Sequence, residues 1–115
     1  MLIRSQDKRL IANFDNICTV SAFPEKDSED IYVEDGTGSL MIGRYSTKAK
    51  AMKVLDMIQE AYGDSEYTKY VIPEVCRILS MKPKTEENKA HAGELGEMLK
   101  KGMTFQMPED SEVEA

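Results

Sequence analysis

The chain has 115 residues, 41% of them hydrophobic, which is enough apolar side chain for one modest core and argues against disorder. Its formal net charge of -6 excludes broad nucleic-acid binding through clustered Lys and Arg. The acids are uneven, with six between Glu25 and Asp35 and four between Glu109 and Glu114, so the remaining surface is near neutral and leaves room for a local basic pocket.

The first half reads as strands. Leu2 to Arg4 and Leu10 to Phe14 are apolar runs around a polar turn at Ser5 to Arg9. Asp15-Asn16 signals a turn before a run from Ile17 to Phe23. Its alternation gives one more apolar face, and Pro24 ends it. Residues 25–30 read as an acidic, solvated loop. Ile31 to Val33 and Leu40 to Ile42 flank Gly36-Thr37-Gly38 and predict a hairpin. The glycines fit a turn better than an anion-binding nest.

The second half reads as helices. Ser46 or Thr47 can cap a helix to Tyr62, with Gly63 as the residue that ends it. Ala51, Val54, Leu55, Ile58, Ala61 and Tyr62 form its apolar stripe. Tyr67 to Ile72 fits strand or helix. A second helix starts near Pro73, a good first-turn residue, and a third runs from Pro83 or Thr85 to Gly102. In that helix Glu86 and Glu87 start and Lys100 and Lys101 finish in accord with the helix dipole. Met103 to Met107 returns as a last strand. The expectation is an α+β fold, an N-terminal antiparallel sheet packed on C-terminal helices with a final short strand. It forms a single domain over 1–108, followed by an acidic, frayed tail over 109–115.

Catalytic chemistry is not legible. His91 is the sole histidine and lies on a Glu- and Lys-rich helix, as a surface residue would. There is no CxxC, HExxH, Walker A loop or Rossmann fingerprint. The acids of residues 27–35 lack EF-hand spacing. Neither catalytic residue, metal site nor cofactor is therefore expected. Cys18 and Cys76 are isolated, in the manner of reduced, buried thiols in a cytosolic protein. No apolar run is long enough for a signal peptide or a membrane span. The eight methionines fill a core or lend it adaptability.

Two polar clusters sit at strand ends, Arg4-Ser5-Gln6-Asp7 and Gly43-Arg44-Tyr45-Ser46. The second suits a phosphate, with an arginine, a glycine permitting close approach, and free N–H groups at a helix start. The alternative is that Ser46 caps the helix and Arg44 is simply solvated.

Ile3-Arg4-Ser5-Gln6-Asp7, Gly43-Arg44-Tyr45-Ser46-Thr47 with Val54-Leu55-Asp56-Met57-Ile58, and Phe105-Gln106-Met107-Pro108-Glu109-Asp110 resemble segments of small phage and prophage proteins of Gram-positive bacteria. The order of strands then helices also resembles the Thoeris anti-defence sponge proteins of phages. That resemblance implies sequestration, without cleavage, of a cyclic nucleotide immune signal, a cyclic ADP-ribose isomer or a cyclic oligonucleotide. A ligand of this kind needs cationic or N–H donors for phosphate and an aromatic face for adenine. Arg4, Gln6, Gly43, Arg44 and Arg77 are candidates for the first, and Phe14, Tyr45 and Phe105 for the second. A small domain makes a shallow pocket, so the resemblance implies a cytoplasmic homo-oligomer with a shared site, a small nucleotide ligand, and neither membrane nor direct nucleic-acid binding. The alternative is an acidic protein-interaction module, such as a nucleic-acid-mimicking inhibitor of a host defence nuclease. Its acids at 25–35 and in the tail would meet a basic groove.

Overall fold

A computed structural model describes residues 1–81, 85–87, 89, 90, 93, 94, 97 and 104–114. The fold is α+β. In chain order it places β1 (Leu2–Arg4), β2 (Ile11–Asn13), β3 (Thr19–Pro24), β4 (Glu29–Glu34), β5 (Ser39–Tyr45), α1 (Lys48–Tyr70), α2 (Ile72–Ser80) and β6 (Thr104–Gln106). Short 3-10 turns occupy Phe14–Asn16 and Asp110–Glu112. The strands form two sheets of three. β3, β4 and β5 make an antiparallel meander. In the other, β1 lies between antiparallel β2 and parallel β6, so the last strand closes against the first. No helix of the described residues is long and apolar enough to cross a membrane.

Alternation explains the core. Val20 faces Val33 and Ala22 faces Ile31 across β3 and β4, on the face that meets α1. Ile3, Ile31, Val33, Ile42 and Tyr45 from the sheets pack with Ala51, Val54 and Ile58 of α1. These helical positions follow the three- and four-residue spacing of one helix face. Met107 and Val113 complete the cluster; among the described methionines Met107 alone is buried.

Several boundaries differ from the sequence expectation. β4 begins at Glu29, inside the stretch read as a solvated loop, because Asp30 gains a side-chain partner across the sheet in Arg44. The helix start is capped by Thr47, whose hydroxyl accepts from the Lys50 N–H at 3.2 Å. α1 then passes through Gly63 and continues to Tyr70. Its break falls at Val71, where Pro73 two residues on cannot supply a helical N–H. Ser65 and Thr68 are buried on the extension, which continues past the glycine despite its cost of roughly 1 kcal/mol in a helix. Cys18 is exposed and Cys76 half-buried, so neither is a core thiol.

The expected third helix falls largely outside the described residues, as do His91, Gly96, Lys100, Lys101 and Met103. Thr85 opens a stretch in which the described residues from Glu86 to Glu97 are helical.

The last residues pack down instead of fraying. Val113 is buried in the core, and Glu109 and Glu112 form a reciprocal capping box around the 3-10 turn. The acidic segment is anchored by an apolar residue at each end, Met107 and Val113, and between them by the bonds of Pro108 and Asp110.

The molecule is elongated, 60 × 32 × 21 Å. Its radius of gyration is 17.4 Å, against about 13 Å for a compact chain of this length. The core is built on the first half of α1, and the second half carries α2 beyond the sheets.

Candidate functional site

Six of the eight residues nominated from sequence meet where the two sheets join. The Gln6 N–H donates to the Ile42 carbonyl at 2.8 Å. Its side chain accepts from the Arg44 N–H at 2.9 Å and donates to the carbonyls of Arg44 at 3.0 Å and Pro108 at 3.3 Å. One amide thus ties the turn after β1 to the end of β5 and to the C-terminal segment. Arg4 pairs with Gln106 in the β1–β6 ladder, one step beyond Ile3 with Phe105. The Gln106 side chain donates to the Ser5 carbonyl at 3.0 Å and the Met107 carbonyl at 2.9 Å.

Tyr45 belongs to the core, not to a ligand. It is wholly buried, its hydroxyl donates to the Pro108 carbonyl at 2.8 Å, and burial with nearby acids pushes its pKa well up. It offers no face to adenine. Gly43 is needed for close packing within the protein. A Cβ there would stand 3.0 Å from both Met107 Cε and Tyr45 Cε2. Phe105 is half-buried against the core.

Arg44 is the polar side chain of the junction most available to solvent in a fixed pose. Its guanidinium grips Asp30 through two bonds, Nε to Oδ1 at 3.0 Å and Nη2 to Oδ2 at 3.1 Å. Asp30 is fully buried, yet the arginine side chain is 62% exposed. Arginine's planar fork suits this bidentate geometry. The Arg44 hydrogen bonds hold the Asp30 carboxyl below its usual range, with a second bond from the Ser28 hydroxyl. Arg4 is exposed as well. It donates through Nε and Nη2 to the Lys8 carbonyl at 3.2 and 3.1 Å, within a turn that also exposes Lys8 and Arg9.

Asp110 sits just ahead of the helix start: its Oδ1 accepts from the Ser46 N–H at 2.7 Å, two residues before the first helical residue, and its Oδ2 lies 3.3 Å from Lys50 Nζ. The Ser46 N–H bond leads in holding the Asp110 carboxyl below its usual range. The protein thus places a carboxylate of its own near the N-terminal end of α1, where the helix dipole favours negative charge. Lys53 also reaches the carbonyl of Glu114.

The other two nominated residues lie elsewhere. Phe14 follows β2 and packs against Tyr62 of α1, ring centroids 5.0 Å apart. Arg77 is on α2 and pairs with Glu74 one helical turn before it.

Sequence reasoning missed Asp30, Gln106 and Asp110, whose roles depend on partners 14, 101 and 64 residues away. It also missed a pair that it had the means to find. Phe23 and Tyr32 both lie on the face of their strands opposite the core, and their rings meet edge to face at 5.9 Å. The alternation of β3 already placed Phe23 with Thr19 and Ser21, away from Val20 and Ala22.

Two clefts are lined by described residues. One, of about 200 Å³, lies between β2 and the β4–β5 hairpin and includes Ile11, Ile17, Val33 and Leu40. The other, of about 290 Å³, is lined by Phe23, Pro24, Glu25, Tyr32, Glu34 and Ser39. Neither contains a nominated residue. Among the described residues no group of three metal-ligating side chains comes together. No protein-family model, curated protein or solved structure matches this chain.

Proposed function

We propose that the protein is a phage anti-defence binding protein that sequesters a cyclic nucleotide immune signal without cleaving it, acting in the cytoplasm as a homo-oligomer. The observation that carries this reading is the convergence at the sheet junction. Residues 4, 6, 43–45 and 105 are distant in sequence yet meet there, and two guanidiniums, Arg4 and Arg44, emerge on the surface. Asp30 holds Arg44 through Nε and Nη2, and the remaining Nη1 is the group left to meet a phosphate. Sequestration needs affinity, about -12 kcal/mol for a nanomolar ligand, and no proton transfer. With the Asp110 carboxylate standing just ahead of the helix start, the phosphate contacts are assigned to the arginines.

The test is a thermal-shift screen of cyclic ADP-ribose isomers and cyclic dinucleotides, followed by titration of the best ligand. Arg44→Ala and Arg4→Ala each weaken binding by about ten-fold, as expected for a charge-assisted contact. Heat denaturation returns the ligand intact, and light scattering gives a mass above the monomer. Unchanged affinity in both variants, or conversion of the ligand, overturns the reading.

A second reading, the acidic protein-interaction module, is favoured by the surface of residues 25–35, where Glu25, Asp27, Glu34 and Asp35 are exposed. The C-terminal acids support it less, because Asp110 is turned inward onto Ser46 and Lys50. A basic partner held in this way dissociates as salt is raised.

A further inference from the structure

We infer that the outer face of the β3–β4–β5 sheet carries a binding site for an arginine side chain presented by a basic partner protein, formed by Phe23 and Tyr32 with the carboxylates of Glu25 and Glu34. The inference rests on the second reading above and is independent of the nucleotide reading.

The register builds the site. Thr19, Ser21 and Phe23 of β3 oppose Glu34, Tyr32 and Asp30 of β4 on the face turned from the core, and Glu34 opposes Ser39 of β5. Phe23 is half exposed, and the two rings stand edge to face beside the 290 Å³ cleft. Exposed aromatic surface costs free energy in water, and a cleft that keeps two rings at its wall is suited to a flat, weakly hydrated group.

Charge selects which flat group. No cation lines the cleft, whereas Glu25 and Glu34 do, and neither carboxylate has an ion-pair partner among the described residues. The nearest guanidinium, that of Arg44, is already committed to Asp30. An anion would meet two uncompensated carboxylates at close range. A guanidinium meets two acceptors and two ring faces or edges. The protein shows the same preference internally, since Arg44 lies against this face beside Asp30, with Tyr32 and Glu25 adding to the stabilisation of its charge. Lysine satisfies the carboxylates equally well, but its compact, strongly hydrated ammonium gains less from the rings.

Calorimetric titration of the full chain at low salt with blocked tetra-arginine, tetra-lysine and tetra-glutamate peptides tests this. Tetra-arginine is expected to bind about three- to five-fold tighter than tetra-lysine, the margin that a cation–π contact at an exposed site provides, and tetra-glutamate not at all. Phe23→Ala removes the arginine preference and Phe23→Tyr retains it. Glu34→Gln weakens both basic peptides, and the ring signals of Phe23 and Tyr32 shift with tetra-arginine in the NMR spectrum. Equal affinity for the two basic peptides, or a preference untouched by Phe23→Ala, overturns the cleft while leaving the interaction reading in place. Failure of both basic peptides to bind the unaltered protein overturns the two together.

Discussion

The sheet junction and the outer helical arm treat their side chains in opposite ways. At the junction nearly every polar group that sequence would nominate for a ligand is spent on the protein itself. Gln6 bonds to Arg44 and Pro108, Tyr45 to Pro108, Gln106 to Ser5, and Asp110 to Ser46. Along the arm Ile72 is buried, but several large apolar groups stay in water. Tyr67, Tyr70, Ile78 and Met81 are all at least 48% exposed. A polar cluster at strand ends is therefore weak grounds for a ligand site until its internal partners are known. What stays exposed at the junction is narrower and more informative, Arg44 bonded along one edge to Asp30 and Arg4 bonded to the Lys8 carbonyl.

Substitutions can break or sharpen this contrast. Ile31→Ala, in the core beneath the junction, is expected to cost about 3 kcal/mol in urea denaturation, through lost burial and a residual cavity. Gly43→Ala is expected to cost about 2 kcal/mol, the usual penalty of overpacking. Met107 Cε can yield, but the Tyr45 ring is pinned by its hydroxyl bond. Tyr45→Phe deletes only that bond and should cost about 1 kcal/mol, because the Pro108 carbonyl keeps Gln6 as a donor.

Acid titration separates the ion pairs from the packing. The Asp30 and Asp110 carboxyls are both held below their ordinary value of 3.8. Such a group adds stability that is complete above the unfolded value and is lost as pH falls through the lower folded value. The urea midpoint should stay flat from pH 7 to about 5 and decline below about 4. Arg44→Ala should begin lower at pH 7 and converge on the unaltered protein in acid, because Asp30 then has less charge-dependent stabilisation to lose. The smallest effect belongs to the arm. Ile78→Ala is expected to change stability by no more than about 0.5 kcal/mol, since the side chain is 48% exposed and alanine favours the helix. A loss comparable to that of Ile31→Ala would show that the arm is covered by packing of similar weight.

Much of the fold was legible because it is local. Alternation located β3, a short apolar run β1, and two β-prone runs around a Gly-rich turn the β4–β5 hairpin, while the stripe from Ala51 to Ile58 located the inner face of α1. Gly63 misled because a glycine near a plausible helix end has the same appearance whether the helix stops or continues. The helix continues and buries Ser65 and Thr68, a placement that no local signal records. The tail misled for a similar reason, since its charge density concealed the buried Val113 and the long-range bonds of Asp110 that anchor it.

The sequence by itself determined the class of the fold, the inward faces of its strands and first helix, and the scarcity of histidine and cysteine chemistry, because these follow from composition and short-range periodicity. Only the tertiary structure decided which polar residues remain free. Hydrogen bonds between groups as far apart as Gln6 and Pro108 form after the sheets and the C-terminal segment have come together. That Asp110 takes the Ser46 N–H ahead of α1 is likewise decided by that long-range closure and not by the residues beside Ser46.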